Sequence, residues 1–105
     1  MKVYLDDERP IPEGWVGVRW PEEAIRLLES GEVTELSLDH DLGDDARGTG
    51  YTVIIWLEEA VALRGFVPPA IIIHTANASA RQKMTLGVRN IERLAARHMN
   101  RAEPH

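Results

Sequence analysis

The sequence predicts an α/β fold, a three-layer sandwich in which helices cover a mainly parallel sheet of four strands. Two observations support this prediction. Short apolar runs alternate with longer segments whose apolar residues recur at helical spacing, and strands that alternate with helices form parallel sheets through right-handed crossovers. No strand-like apolar run follows the fourth one, so a fifth strand is not predicted.

The four predicted strands are short apolar runs bounded by turn-forming residues. They cover residues 2–5, 16–20, 33–38 and 70–73. Residues 10–15, between the first two strands, contain two Pro and a Gly and are predicted as loop. Ser37 interrupts the apolar run that ends the third strand, so at least one face of that strand is expected to be buried.

Three segments are predicted as helices. The first begins at Pro21, a residue suited to the first helical position, and ends before Gly31. The second has the clearest apolar repeat and ends at Gly65, because glycine is common just past a helix C-terminus. Apolar residues within 84–95 mark the third, and a polar tail is expected from about residue 100.

Length and composition restrict the classes of function. The 105 residues fit one domain, 1–105, and the absence of cysteine excludes disulfides and thiol nucleophiles. No apolar stretch approaches the roughly 20 residues of a membrane span, and the first residues lack a signal-peptide pattern, so we expect a cytoplasmic protein without membrane contact. The net charge of −5 argues against binding of extended DNA.

Polar clusters follow three of the predicted strands. They are Asp6-Asp7, Asp39-His40-Asp41, and His74-Thr75 with Asn77. In parallel α/β sheets, ligands bind beyond the C-terminal strand ends. The three clusters are therefore expected to meet at one edge of the sheet and to form a single site.

Several carboxylates at one edge repel each other unless a cation, a proton or water relieves the charge. Asp6, Asp7 and Asp39 are predicted to bind Mg²⁺ or Mn²⁺, because hard cations prefer oxygen ligands. Asp41 is expected to add either its carboxylate or its backbone carbonyl. The alternative for Asp6 and Asp7 is a solvated acidic pair without a metal.

Two histidines are candidate catalytic residues because histidine carries protons near neutral pH. His40 lies between Asp39 and Asp41, and His74 follows the fourth strand. Each has an alternative interpretation, in which His40 packs beside the site and His74 satisfies local hydrogen bonds.

A glycine-rich turn opens the second helix. Gly48, Thr49 and Gly50 are predicted to bind phosphate, because glycine permits close approach and the amides of a helix start attract anions. A plain turn into the helix is the alternative.

Three further side chains are candidate phosphate ligands. Thr75 and Asn77 are potential hydrogen-bond donors, although Asn77 equally suits the N-cap of the last helix. Arg9 is expected either to contact phosphate or to serve as a counter-ion of the neighbouring acidic pair.

The motifs "LDDERP", "LDHDLG", "GTGY" and "HTAN" resemble the cyclic-phosphate processing receiver family, and the likeness covers most of the chain. In that comparison, Asp39 and Asp41 form a Toprim-like Asp-x-Asp element. The resemblance implies a receiver-like (flavodoxin-like) fold and a role with cyclic phosphates of nucleotides or RNA ends.

The sequence departs from ordinary receivers at two places. It has no fifth strand with the Lys-Pro pair whose lysine helps to activate the phosphoacceptor, and Lys83 on the last predicted helix does not match that position. A Pro-containing loop also replaces the helix that usually follows the first strand. Both departures argue against ordinary phosphorelay signalling.

The sequence therefore leads to one hypothesis and two alternatives. The hypothesis is a metal-dependent phosphoesterase that acts on a phosphate-containing small molecule or an RNA terminus. The alternatives are a receiver that is phosphorylated on Asp39 and a degenerate receiver that binds a protein partner. The sequence leaves the oligomeric state open between monomer and homodimer.

Overall fold

Residues 1–102 fold into one sheet and three α-helices. The computed structural model describes residues 1–102. The strands are β1 (Lys2–Leu5), β2 (Val16–Val18), β3 (Glu35–Leu38) and β4 (Ala70–Ile73), and the helices are α1 (Pro21–Glu29), α2 (Gly50–Arg64) and α3 (Ala78–Ala102). A short 3₁₀ helix, Asp45–Arg47, lies before α2.

The four strands form an all-parallel sheet in the order β2-β1-β3-β4. This arrangement confirms the predicted α/β fold with a parallel, four-stranded, receiver-like sheet. Val3 pairs with Leu36 in the two central strands, as the sequence predicts. The bounds of β1 and β4 agree with the prediction, whereas β2 ends two residues earlier and β3 begins two residues later than expected.

All three helices contribute to one core on a single face of the sheet. Val3, Leu5, Leu36 and Leu38 are fully buried there in one cluster with side chains of α1, α2 and α3. The crossovers from β2 to β3 and from β3 to β4 run in the same direction across the sheet, so right-handed connections place their helices on the same side.

Among residues 1–102, no helix covers the opposite face of the sheet, where the three-layer prediction requires a second helical layer. On this open face, Ile72 keeps 47% of its surface exposed. The connection from β1 to β2 runs the other way across the sheet and is a loop, in which Ile11 lies over Gly17 and Trp15 packs edge-on against Tyr4. The described residues therefore form two layers with a partial loop cover.

The helix ends follow local sequence signals. Pro21 is the first residue of α1, and Gly65 ends α2 in the left-handed conformation with φ +63°. Helix α3 continues past the start of the expected polar tail as far as Ala102, and the rest of that tail lies outside the described residues. Within residues 1–102, no helix is long and apolar enough to cross a membrane.

Candidate active site

The predicted site residues meet where three strands end at one edge of the sheet. The backbone amide of Asp39 donates to the carbonyl of Leu5 at 3.0 Å, and that of His74 donates to Leu38 at 3.0 Å. These bonds continue the parallel pairing one residue past the strands, so Asp39 and His74 have fixed backbone positions. Asp6 follows β1, on the other side of β3 from β4 and His74.

Three carboxylates form a compact group at this edge. Asp6, Asp7 and Asp39 each offer an oxygen, and these oxygens all lie within 4.8 Å of one another. Asp6 and Asp39 are buried, whereas Asp7 is half-buried. No other group of three potential metal ligands occurs among residues 1–102.

The carboxylate of Asp6 has more hydrogen-bond donors than any other in this group. Its Oδ1 accepts from the amides of Glu8 and Arg9, both at 2.9 Å, and its Oδ2 accepts from Arg9 Nη1 and His74 Nε2, both at 2.9 Å. Burial by itself raises the pKa of Asp6, but the hydrogen bonds from Arg9, Glu8 and His74 outweigh burial and hold the pKa below its ordinary value. Asp6 is therefore a permanently charged acceptor at neutral pH.

Arg9 is a counter-ion within the acidic group. Besides its bond to Asp6, its Nη1 lies 3.4 Å from Oδ2 of Asp39. This is the counter-ion arrangement that the sequence left as one alternative, with Asp39 rather than Asp7 as the second partner. The Arg9 side chain is 40% exposed and lines the pocket described below, so it also faces solvent at the site.

Asp41 and His40 form a separate pair beside the carboxylate group. His40 Nδ1 lies 2.8 Å from Asp41 Oδ1, and the hydrogen bond with His40 holds the pKa of Asp41 below its usual value. Asp41 lines the same cavity as Asp6, Asp7 and Asp39, but its carboxylate does not belong to the group whose oxygens lie within 4.8 Å of one another. His40 Nε2 has no hydrogen-bond partner among residues 1–102, whereas its backbone amide donates to Asp39 Oδ1 at 2.8 Å.

His74 differs from His40 because both of its ring nitrogens have protein partners. Nε2 bonds Asp6, and Nδ1 lies 2.7 Å from the hydroxyl oxygen of Ser37. Burial lowers the pKa of His74, and the contact with Asp6 offsets only part of this effect. The structure thus contains the local hydrogen bonds that formed the alternative interpretation of His74.

Gly50 allows α2 to begin directly against the strand end that carries Asp39. A Cβ at position 50 would lie 1.8 Å from the backbone oxygen of Asp39, and the Gly50 amide donates to the carbonyl of His40 at 3.0 Å. No side chain fits there without displacement of the backbone. The glycine is therefore required by close packing.

The amides of the glycine-rich turn already have partners within the chain. Gly48 N donates to Asp45 O, Thr49 N to Thr52 Oγ1, Gly50 N to His40 O, and Tyr51 N to Thr49 Oγ1. Thr49 is thus the N-cap of α2, and none of the three predicted phosphate-binding residues of this turn lines the pocket. The turn offers no unpaired amide to a phosphate here, so the plain-turn alternative accounts for its geometry.

A cavity of about 410 Å³ opens in front of the carboxylates. Its lining residues are Asp6, Asp7, Glu8, Arg9, Asp39, Asp41, Gly43, Thr75, Ala76 and Asn77. Thr75 is almost fully buried, and its hydroxyl accepts from the amide of Asn77 at 3.2 Å. The Asn77 side chain caps α3 by accepting from Ala80 N at 3.1 Å and directs its amide nitrogen towards Asp41 Oδ2 at 3.5 Å.

The lysine of ordinary receivers has no counterpart in this cavity. Lys83 lies with its Nζ 4.0 Å from the centre of the Tyr51 ring, away from the carboxylates. Arg9 is the one basic side chain among the lining residues.

Sequence reasoning did not assign Ser37 or Tyr4 to the site. Tyr4 stacks on His74 with ring centres 4.3 Å apart and planes 5° from parallel. Ser37 is a lone serine inside a buried strand, which indicates that its hydroxyl needs a hydrogen-bond partner. The sequence does not show which residue is that partner. Tyr4 and Ser37 are register partners in adjacent strands, which explains why both reach His74.

The donor set of the carboxylate group fits a divalent cation. Asp7 accepts no hydrogen bond from the part of the chain that is described, and Asp39 accepts one short hydrogen bond, so both retain acceptor capacity. Asp6 already has four donors, and two of them, the backbone amide and Nη1, belong to Arg9. An ion held by Asp7 and Asp39 therefore competes with Arg9 for the negative charge of the group.

Comparison with known proteins gives one family. The profile of the family described as cyclic-phosphate processing receiver domain matches residues 1–90, which include every strand and every residue of the cavity. Curated proteins and solved structures gave no match.

Proposed function

The chain belongs to the cyclic-phosphate processing receiver family, and on that premise we propose that it is a metal-dependent phosphoesterase that hydrolyses a cyclic phosphate. The observation that carries this proposal is the group of three carboxylates within 4.8 Å, beside a cavity that also presents Arg9 and Thr75. Mg²⁺ or Mn²⁺ is the proposed cofactor, with Asp7 and Asp39 as its direct ligands and Asp6 as the third charge.

The bound ion would neutralise charge on the phosphate and activate water. The chain itself supplies the orienting groups. Arg9 is the proposed cationic contact for a phosphate oxygen, because its exposed guanidinium faces the cavity. The proposed proton carrier is His40, since its Nε2 has no partner among the described residues, whereas both ring nitrogens of His74 are engaged.

A second groove favours an RNA end, rather than a small cyclic nucleotide, as the substrate. This groove of about 500 Å³ runs along α3 and shares Ala76 with the acidic cavity. Arg81 and Arg89 line it, and both are exposed. If the cyclic phosphate at the end of an RNA lay in the acidic cavity, the neighbouring phosphates of the RNA backbone would lie close to these two arginines.

The test is a hydrolysis assay on a 2′,3′-cyclic mononucleotide and on a short RNA that ends in the same cyclic phosphate, with and without Mg²⁺. We expect turnover that requires the ion, that is lost in Asp39→Asn, and that falls about 100-fold or more in His40→Ala. The matched control is Asp45→Asn on the exposed turn. Full turnover in Asp39→Asn contradicts the proposal, and equal rates on both substrates contradict the RNA assignment.

One contact favours a second function, transfer of a phosphoryl group to Asp39. Arg9 places a cation 3.4 Å from the Asp39 carboxylate, which ordinary receivers achieve with a lysine. Acetyl phosphate would transfer its phosphoryl group to the carboxylate and release acetate. A stable phosphoryl adduct on Asp39 together with no cleavage of either cyclic substrate would replace the phosphoesterase with a signalling receiver.

A further inference from the structure

A hydrogen-bonded relay crosses the open face of the sheet and ends in the carboxylate group. Ser37 Oγ lies 2.7 Å from His74 Nδ1, and His74 Nε2 lies 2.9 Å from Asp6 Oδ2. The residues come from three adjacent strands or strand ends. The side chain of Asp6 is fully buried, that of His74 is 15% exposed, and Ser37 is also buried.

The chemistry of the partners gives the relay one direction. An ionised carboxylate is only an acceptor, so Nε2 of the imidazole carries the hydrogen and donates to Asp6. In neutral imidazole, Nδ1 is then the acceptor, and the hydroxyl of Ser37 must donate to it. Ser37, His74 and Asp6 thus have a single hydrogen-bonding pattern with the Nε2–H tautomer.

Aromatic packing fixes the plane of the imidazole ring. Tyr4 stacks on His74 at 4.3 Å, and Trp15 packs edge-on against Tyr4 with ring centres 6.0 Å apart. With both nitrogens bonded and one face covered, His74 cannot rotate about its χ2 torsion without the loss of two hydrogen bonds. Rotation of Asp6 would in turn lose the bond from His74.

We propose that Ser37 is a positioning residue of the carboxylate site, which acts through His74 to fix the orientation of Asp6 and so strengthens cation binding by the group of three carboxylates. This inference rests on the proposed function for the identity of the ligand, Mg²⁺ or Mn²⁺. Hydrogen-bond partners of metal-site residues generally have such an effect, and their removal weakens metal affinity about 10- to 100-fold.

The relay also assigns different tasks to the two histidines. His74 orients a carboxylate, whereas His40 is left to exchange protons with the substrate. Loss of Ser37 should therefore weaken cation binding, whereas loss of the His40 ring should slow turnover and leave cation binding close to the wild-type value.

The experiment measures two properties of the purified chain. Isothermal titration with Mg²⁺ gives the cation affinity, and ¹⁵N NMR of the His74 ring gives its tautomer. We expect the Nε2–H tautomer in the wild-type chain and an Mg²⁺ affinity about 10-fold weaker in Ser37→Ala, with a changed Nδ1 resonance. Ser37→Thr, which keeps the hydroxyl, should restore both properties. Glu35→Gln, on the same face of β3, is the matched control because Glu35 pairs with Lys2 instead.

The possible results separate this proposal from the proposed function. An Mg²⁺ affinity in Ser37→Ala within twofold of the wild type, at lowered thermal stability, would mean that Ser37 only satisfies a buried histidine, and it would overturn the positioning role. Absence of Mg²⁺ binding to the wild-type chain would overturn the cation site and therefore the positioning role. An Nδ1–H tautomer in the wild-type chain would overturn the relay whatever the metal result.

Discussion

The two faces of the sheet are built from alternating residues of the same strands, but their chemistry is opposite. On the helix-covered face, Val3, Leu5, Leu36 and Leu38 are fully buried among apolar side chains. On the open face, Tyr4 and Ser37 contact a histidine, and Ile72 remains half-exposed. Parallel sheets are usually covered on both sides, so a face without a helix must satisfy its polar groups by itself.

The comparison shows how stability and function are divided between the two faces. The covered face supplies apolar burial, which is the main favourable term in folding. The open face holds the relay that leads to Asp6, and no buried side-chain nitrogen or oxygen lacks a partner among the described residues. Substitutions on the covered face should therefore change stability most, and substitutions on the open face should change the site.

The largest expected effect is on the covered face. Leu36→Ala should lower the free energy of unfolding by about 2–5 kcal/mol, because it leaves a cavity at a fully buried position of the apolar core. Urea unfolding followed by circular dichroism measures this loss. A loss below about 1 kcal/mol would mean that the core is not centred on this face.

Gly50→Ala should lower the free energy of unfolding by about 1–3 kcal/mol, because the added Cβ would lie 1.8 Å from the backbone oxygen of Asp39. The change should also weaken Mg²⁺ binding, since the strand end that carries Asp39 must shift. Urea unfolding and Mg²⁺ titration measure the two effects, with Glu59→Ala on the exposed side of α2 as control. A Gly50→Ala variant as stable as the wild type would show that α2 can move away from the strand end that carries Asp39 at little cost in free energy.

The acid sensitivity of the fold should depend on Asp6. Its pKa in the folded chain is below the ordinary 3.8, so the ionised carboxylate stabilises the fold above about pH 4, and this contribution is lost as the pH falls further. In Asp6→Asn, the free energy of unfolding should decline less steeply below pH 4 than in the wild type. Urea unfolding at a series of pH values, with a chelator present to remove metal ions, measures this decline. The control Asp45→Asn should keep the wild-type decline, and an equally steep decline in Asp6→Asn would assign the acid sensitivity to other groups.

The smallest expected effect is on the exposed part of the open face. Ile72→Ala should cost about 1 kcal/mol or less, because about half of the side chain already contacts solvent. Urea unfolding beside Leu36→Ala gives the comparison directly. A loss as large as that of Leu36→Ala would indicate that another molecule or a further segment covers this face in solution.

The amino-acid sequence by itself determined the alternation of strands and helices, the parallel sheet and the edge that carries the acidic residues. These features depend on local signals, such as the apolar spacing of α2, the glycine after it and the Asp residues at strand ends. Parallel strands then bring Asp6, Asp7 and Asp39 together, because consecutive crossovers leave all C-terminal strand ends at one edge.

Only the tertiary structure decided how the layers and the hydrogen bonds are arranged. The number of layers depends on strand order, which places α1 and α2 on one side of the sheet. The role of His74 depends on Ser37 and Asp6, which are 37 and 68 residues away along the chain. Arg9 could be assigned to Asp6 and Asp39 only from distances, because charge in the sequence does not specify which carboxylate a long, flexible side chain reaches.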